Sequence, residues 1–163
     1  MKKIISLALC FIMLFSAVAC SKDKKEDMPH VEGTLTEIFG KIYANAGVEV
    51  PMTMETDVTN ANKMNMFGTT DVTFLEARAA EAAIMTIPHL MVLLRVDPNS
   101  DIEQTKQLIR DNADPRKWIC VGVDPEEVIV DSIGDLIFFV MSANAEAYRA
   151  SFLKLAETEE TKA

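Results

Sequence analysis

The sequence predicts an α+β domain in two layers, an antiparallel sheet of about four to five strands with helices packed on one face. Three observations lead there. Paired capping residues mark helix starts. Short runs rich in β-branched and aromatic residues are punctuated by Gly, Pro and Asp. The order helix, strand, strand, helix, then three strands and a helix suits an antiparallel sheet, since strands that follow one another closely pair without crossovers.

Thr34 with Glu37 three residues later forms a capping box, and Gly47 is a plausible stop. Leu35, Ile38, Phe39, Ile42 and Ala46 lie between them on one helical face. Residues 48–62 read as extended or irregular, and Lys63 to Gly68 as a short helical turn. Val72 to Ala79 sets Leu75, Ala77 and Ala79 against Glu76 and Arg78, the alternation of a strand with one wet face.

Ile87 to Val96 is a second strand, with Pro88 confined to its start or to an edge. Ser100 with Glu103 predicts a capped helix whose inner face is Ile102, Thr105, Leu108 and Ile109, and Pro115 forbids its continuation. Trp118 to Val123 reads as a strand that buries Cys120. Val128 to Ile133 and Leu136 to Met141 flank Gly134-Asp135, a two-residue hairpin turn in which Gly tolerates positive φ. Asn144 caps a last helix with Ala145, Tyr148, Phe152 and Leu155 aligned.

The N-terminus carries an address. Lys2 and Lys3 precede an apolar run, Ile4 to Val18, that closes on Ala17-Val18-Ala19-Cys20. Charged start, apolar centre and small residues describe an export signal over 1–19, and the Cys that follows makes Cys20 the expected lipid-bearing residue. Ala17-Val18-Ala19 also fits the general signal peptidase, which would leave Cys20 a free thiol. About fifteen apolar residues fall short of the ~20 of a spanning helix. Residues 20–33, the lipidated Cys and a charged stretch with Pro29, read as a flexible tether. Residues 34–157 form the single domain, and 158–163 should fray.

Charge and cysteine usage narrow the functions. The chain carries a formal charge of −9, and −11 without Lys2 and Lys3. Nucleic acid needs clustered cations and is excluded as a partner. Anionic headgroups would repel such a chain, so membrane attachment falls to the lipid on Cys20. Once Cys10 leaves and Cys20 is acylated, Cys120 is alone, so no internal disulfide is expected.

The stretch DPRKWICVGVDPEEVIVDSIGDLIFFVMS, Asp114 through Ser142, resembles the C-terminal half of an uncharacterised bacterial lipoprotein family, domain of unknown function 4358. The strand LMVLLRV and the helix DIEQTKQLIRDN also fit its pattern, so the resemblance covers Thr34 to Leu155. Its most specific parts are PRKWICV and the GDLI hairpin. It implies a membrane-tethered lipoprotein of Gram-positive anaerobes and brings no known activity or catalytic residue.

Four constellations compete with plain packing. Met52 and Met54, Met64 and Met66, and His89 and Met91 are spaced i, i+2, and thioether and imidazole ligands suit Cu(I). Methionines also fill irregular cores, so an extracytoplasmic Cu(I) carrier is the alternative reading. Asp97 to Glu103 resembles the start of a calcium loop, but the sixth and twelfth positions hold Ile102 and Leu108 in place of Gly and Glu. Cys120 with His89, and Asp131 or Asp135 as orienter, would make a cryptic hydrolase or thiol enzyme. No serine-hydrolase, zinc-protease or phosphate-loop motif occurs, so no catalytic residue is assigned, no enzyme is expected and no cofactor is implied. Arg116, Lys117 and Trp118, two cations beside the only Trp, are the ligand-binding candidates, because an aromatic face with a cation holds sugars or anions. The chain reads as a binding or interaction module for a protein or small-molecule ligand.

Overall fold

The computed structural model describes residues 29–160. The export signal, Cys20, the first part of the tether and the last three residues lie outside the described residues. The order is α1 (Leu35–Asn45), β1 (Thr53–Asp57), α2 (Lys63–Phe67), β2 (Glu76–Ala82), β3 (His89–Arg95), α3 (Ile102–Asn112), a 3-10 turn (Pro125–Glu127), β4 (Val128–Ile133), β5 (Leu136–Ser142) and α4 (Ala145–Glu160). The five strands form one sheet in the order β1-β2-β3-β5-β4, with every neighbour antiparallel. The α+β class, the antiparallel sheet and the strand number are as the sequence predicts.

Local chemistry explains most boundaries. Thr34 and Glu37 make the reciprocal capping box of α1. Lys63–Phe67 is a short helix that stops at Gly68, whose φ is +72°. Gly134 takes a φ of +55° in the turn between β4 and β5, as that two-residue connection requires. The cap of α3 differs from expectation. Asp101 caps it by accepting from the Gln104 amide at 2.9 Å, while Ser100 closes the preceding turn on the Asp97 carbonyl.

β3 and β5 are central and buried on both faces. On one face Met91, Leu93, Phe138 and Val140 meet Ile38, Phe39 and Ile42 of α1 and Tyr148 and Phe152 of α4. Phe138 and Phe152 stack at 4.8 Å between ring centroids. This is the sheet-and-helix layer pair expected from the sequence. The opposite face is covered too: Leu90, Val92, Leu94, Ile137 and Phe139 pack under Phe67 of α2 and Ile109 of α3. A continuous apolar strand such as LIFFVM needs cover on both faces, because alternate side chains point opposite ways.

The fold extends into the segment read as tether. Val31 is only 1% exposed, and Arg95 donates to the carbonyls of Val31 at 2.8 Å and Gly33 at 2.9 Å. The Pro29 carbonyl lies so close to Gly134 that a Cβ there would come within 1.8 Å of it. The chain thus joins the domain at the Gly134 end of the sheet. The β2–β3 turn and the loop between α3 and β4 occupy the other end, where Glu81 pairs with Lys117.

Two strand expectations are corrected. Val72 to Leu75 precedes β2 without joining it, and Leu75 is exposed, so only the Ala77 and Ala79 part of the alternation faces the core. Trp118 to Val123 is not a strand.

Candidate functional site

The stretch WICVGV is apolar enough for a strand, but it pairs with neither edge of the sheet. β5 is already flanked by β3 and β4, and the Arg110 guanidinium caps the outer side of β4 by donating to the Val130 carbonyl at 2.8 Å. The chain instead folds back on itself after α3. Asp114 accepts from the Arg116 amide at 2.9 Å, and the Val123 amide donates to the Pro115 carbonyl at 3.0 Å. Gly122 permits this closure, because a Cβ at that position would sit 2.8 Å from the same carbonyl.

The loop buries its two ends and presents its middle. Val123 is buried, Trp118 is half-buried against the α3-side core, and Ile119 and Cys120 stand in solvent. The expectation of a buried Cys120 is therefore corrected: it depended on strand packing that the closed loop does not make. An open cleft of about 390 Å³ lies along this loop, lined by Arg116 and residues 118–124.

The two cations beside Trp118 are unequal. Lys117 is mostly covered, with Nζ 2.8 Å from Glu81 and 5.9 Å from the indole centroid. Its charge is spent on the fold and on the ring face. Arg116 is exposed, and its guanidinium has no ion pair or hydrogen bond among the described residues. One indole wall and one unspent guanidinium thus face the same open space, a pairing that suits a planar or sugar-like anion.

The other constellations do not assemble. His89 lies on the opposite face of the sheet from the Cys120 loop, between Tyr43 and Tyr148. Asp131 pairs with Arg149 at 2.7 Å, and Asp135 faces His30 at 3.4 Å. The Cys120, His89 and Asp131 or Asp135 grouping is therefore not formed. The methionines disperse likewise: Met52, Met54 and Met64 are exposed, Met66 is buried in the α3-side core, and Met91 is buried on the other face. Among the described residues no three His, Cys, Asp or Glu side chains converge as metal ligands. The Asp97 oxygens close a turn on Asn99 and Ser100, which accounts for the calcium-like spacing.

A buried polar cluster escaped the sequence reading. The His89 ring shares one hydrogen bond with Tyr43 Oη through Nε2, at 2.9 Å, and one with Ser142 Oγ through Nδ1, at 3.2 Å. Ser142 is the direct cross-strand partner of His89. Burial pushes the imidazole pKa down to about 4 and raises those of Tyr43 and Tyr148. A neutral ring at 1% exposure with both nitrogens engaged cements the α1–α4 layer to the sheet and leaves no lone pair for a metal. Its only sequence signal was a histidine and a serine at the polar ends of two apolar strands.

No protein-family model, curated protein or solved structure matches the chain. Among the described residues no helix is long and apolar enough to cross a membrane.

Proposed function

We propose that the chain is a membrane-tethered extracytoplasmic lipoprotein whose domain is a binding module. The lipid is carried by Cys20, and the cleft beside Trp118 receives the ligand. The address follows from the order Lys2-Lys3, apolar run, Ala17-Val18-Ala19-Cys20. The single observation behind the binding site is the unspent Arg116 guanidinium beside the half-buried Trp118 indole in one open cleft. That pair favours an anionic sugar or a similar flat anion, through a charge-assisted hydrogen bond and ring stacking.

Trp118 is the only tryptophan, so its fluorescence reports on the cleft alone. Titration with glucuronate should give a saturable change by about 10 mM, a weak-ligand affinity. Arg116→Ala should abolish it while melting stays unchanged. No response in the parent chain would remove the cleft from the reading.

A second reading draws on the exposure of Cys120 in the same cleft. A reachable thiolate can attack the disulfide of a small molecule or a partner protein, forming a mixed disulfide and releasing the other sulfur as a thiol. Neither His89 nor Asp131 stands beside it to serve as catalytic base, so this reading is a thiol contact and not a hydrolase. The Cu(I) alternative would need Met52, Met54, Met64 and Met66 together, and the burial of Met66 away from the exposed three speaks against it.

A further inference from the structure

Resting on the binding-module reading, we propose a second docking surface: the outer edge of β1 takes up an extended, cationic segment of a partner protein as a sixth strand. The register shows which backbone groups are open. Met52 accepts from the Ala83 amide and Val58 donates to the Ala77 carbonyl, so Met52, Met54, Thr56 and Val58 turn their backbone toward β2. Thr53, Glu55 and Asp57 turn theirs outward. The Asp57 carbonyl is taken by Asn62 at 3.0 Å, but the N–H and C=O of Thr53 and Glu55 have no partner among the described residues. The other sheet edge is different, since Arg110 occupies the Val130 carbonyl on β4. Open strand edges of this kind pair with added strands.

Side chains and charge select the occupant. Met52 and Met54, 77% and 63% exposed, share one face of β1, and exposed Ile84 and Met85 continue from it in the β2–β3 turn. Thioether side chains adapt to varied apolar partners. On the other face Glu55 and Asp57 share the single guanidinium of Arg78, and the Asp57 side chain is 74% exposed. Two carboxylates against one cation, on a chain of charge −9, leave this edge negative. A second copy would set Glu55 and Asp57 against like charges, which destabilises paired strands. A segment alternating basic and apolar residues satisfies both faces. The patch also lies at the end of the sheet remote from Gly134, where the chain joins the domain. This geometry favours a protein standing off the membrane over the lipid surface.

The test uses the full chain in detergent and a blocked nine-residue peptide alternating Lys and Val. Hydrogen exchange should slow at the Thr53 and Glu55 amides by about tenfold or more on saturation, while Met54 and Thr56, already bonded to β2, stay unchanged. N-methylating one alternate set of peptide residues should abolish the effect, and methylating the other set should not. Thr53→Pro removes an outward N–H that β2 does not use and also gives up the Thr53 side-chain bond to Tyr43, so binding should be lost with a modest fall in melting temperature. If that variant unfolds, the methylated peptides still decide. Unchanged amides, equal protection by a Glu–Val peptide, or equal loss from both methylated sets would each overturn the proposal. So would protection that grows with protein concentration alone, which means a second copy, or protection by phosphatidylglycerol vesicles, which means a membrane. The Trp118 titration is independent of β1. A silent edge with a responsive Trp118 overturns this proposal alone, and silence at both overturns the module reading as well.

Discussion

Cys120 shows how far one side chain depends on the path of its backbone. Set in a strand it would be a small buried apolar residue, but at the crown of a closed loop it meets solvent. Native protein should therefore react with a thiol reagent at a rate close to that of the unfolded chain. Slow labelling that accelerates on denaturation would show a covered thiol. His89 is the converse case, a polar side chain sealed in the core. Its folded pKa of about 4 lies below the unfolded value near 6.5, so between those values the unfolded chain binds a proton that the folded one refuses. The contribution is fully present above pH 6.5, declines as pH falls through that window and levels off below 4. The full difference is about 3 kcal/mol. Urea unfolding at pH 7 and pH 4 measures it, and His89→Asn should lose that share of the slope. An unchanged slope in the variant would place the acid sensitivity elsewhere.

At the scale of elements, legibility followed local chemistry. The capping box at Thr34, the Gly134 turn and the helical face of Tyr148, Phe152 and Leu155 were readable because neighbouring residues determine them. WICVGV was not, because an apolar run of strand length becomes a strand only if it pairs with an edge, and strand order is a property of the whole chain. Two glycines make the same point energetically. Gly40 is exposed within α1, and a Cβ there meets nothing within 4 Å, so Gly40→Ala should stabilise by about 0.5–1 kcal/mol through reduced chain entropy. Gly134→Ala faces both positive φ and the Pro29 carbonyl. It should cost at least about 1–2 kcal/mol. By dislodging residues 29–33 it should also speed cleavage after the already exposed Glu32 by a glutamate-specific protease. Thermal melts compare the pair, and a Gly134→Ala protein as stable as the parent would mean that the entry segment is not held there.

At the scale of the whole molecule, the sequence foretold the class and the helix-covered face but not how the second face is closed. Its cover joins Ile109, on a helical face the sequence announces, to Phe67, Val72 and Val123, which are too scattered for any periodicity to announce. The candidate site was legible in composition only: Arg116, Lys117 and Trp118 were conspicuous, but their unequal roles depend on Glu81, thirty-six positions away from Lys117. Charge, by contrast, is a bulk property that the sequence states outright, and it decides how the proposed anchor must behave. A chain of −11 once Lys2 and Lys3 are removed gains nothing from anionic headgroups, so attachment through Cys20 should be indifferent to ionic strength. At about 1 M salt, where the screening length falls to about 3 Å, the protein should stay with the membrane fraction. Detergent should release it. Cys20→Ala should move it to the medium or block its maturation, and mass spectrometry of the mature N-terminus should show the diacylglyceryl mass on Cys20. Release by salt alone would mean that a charged partner, not a lipid, holds the domain at the surface.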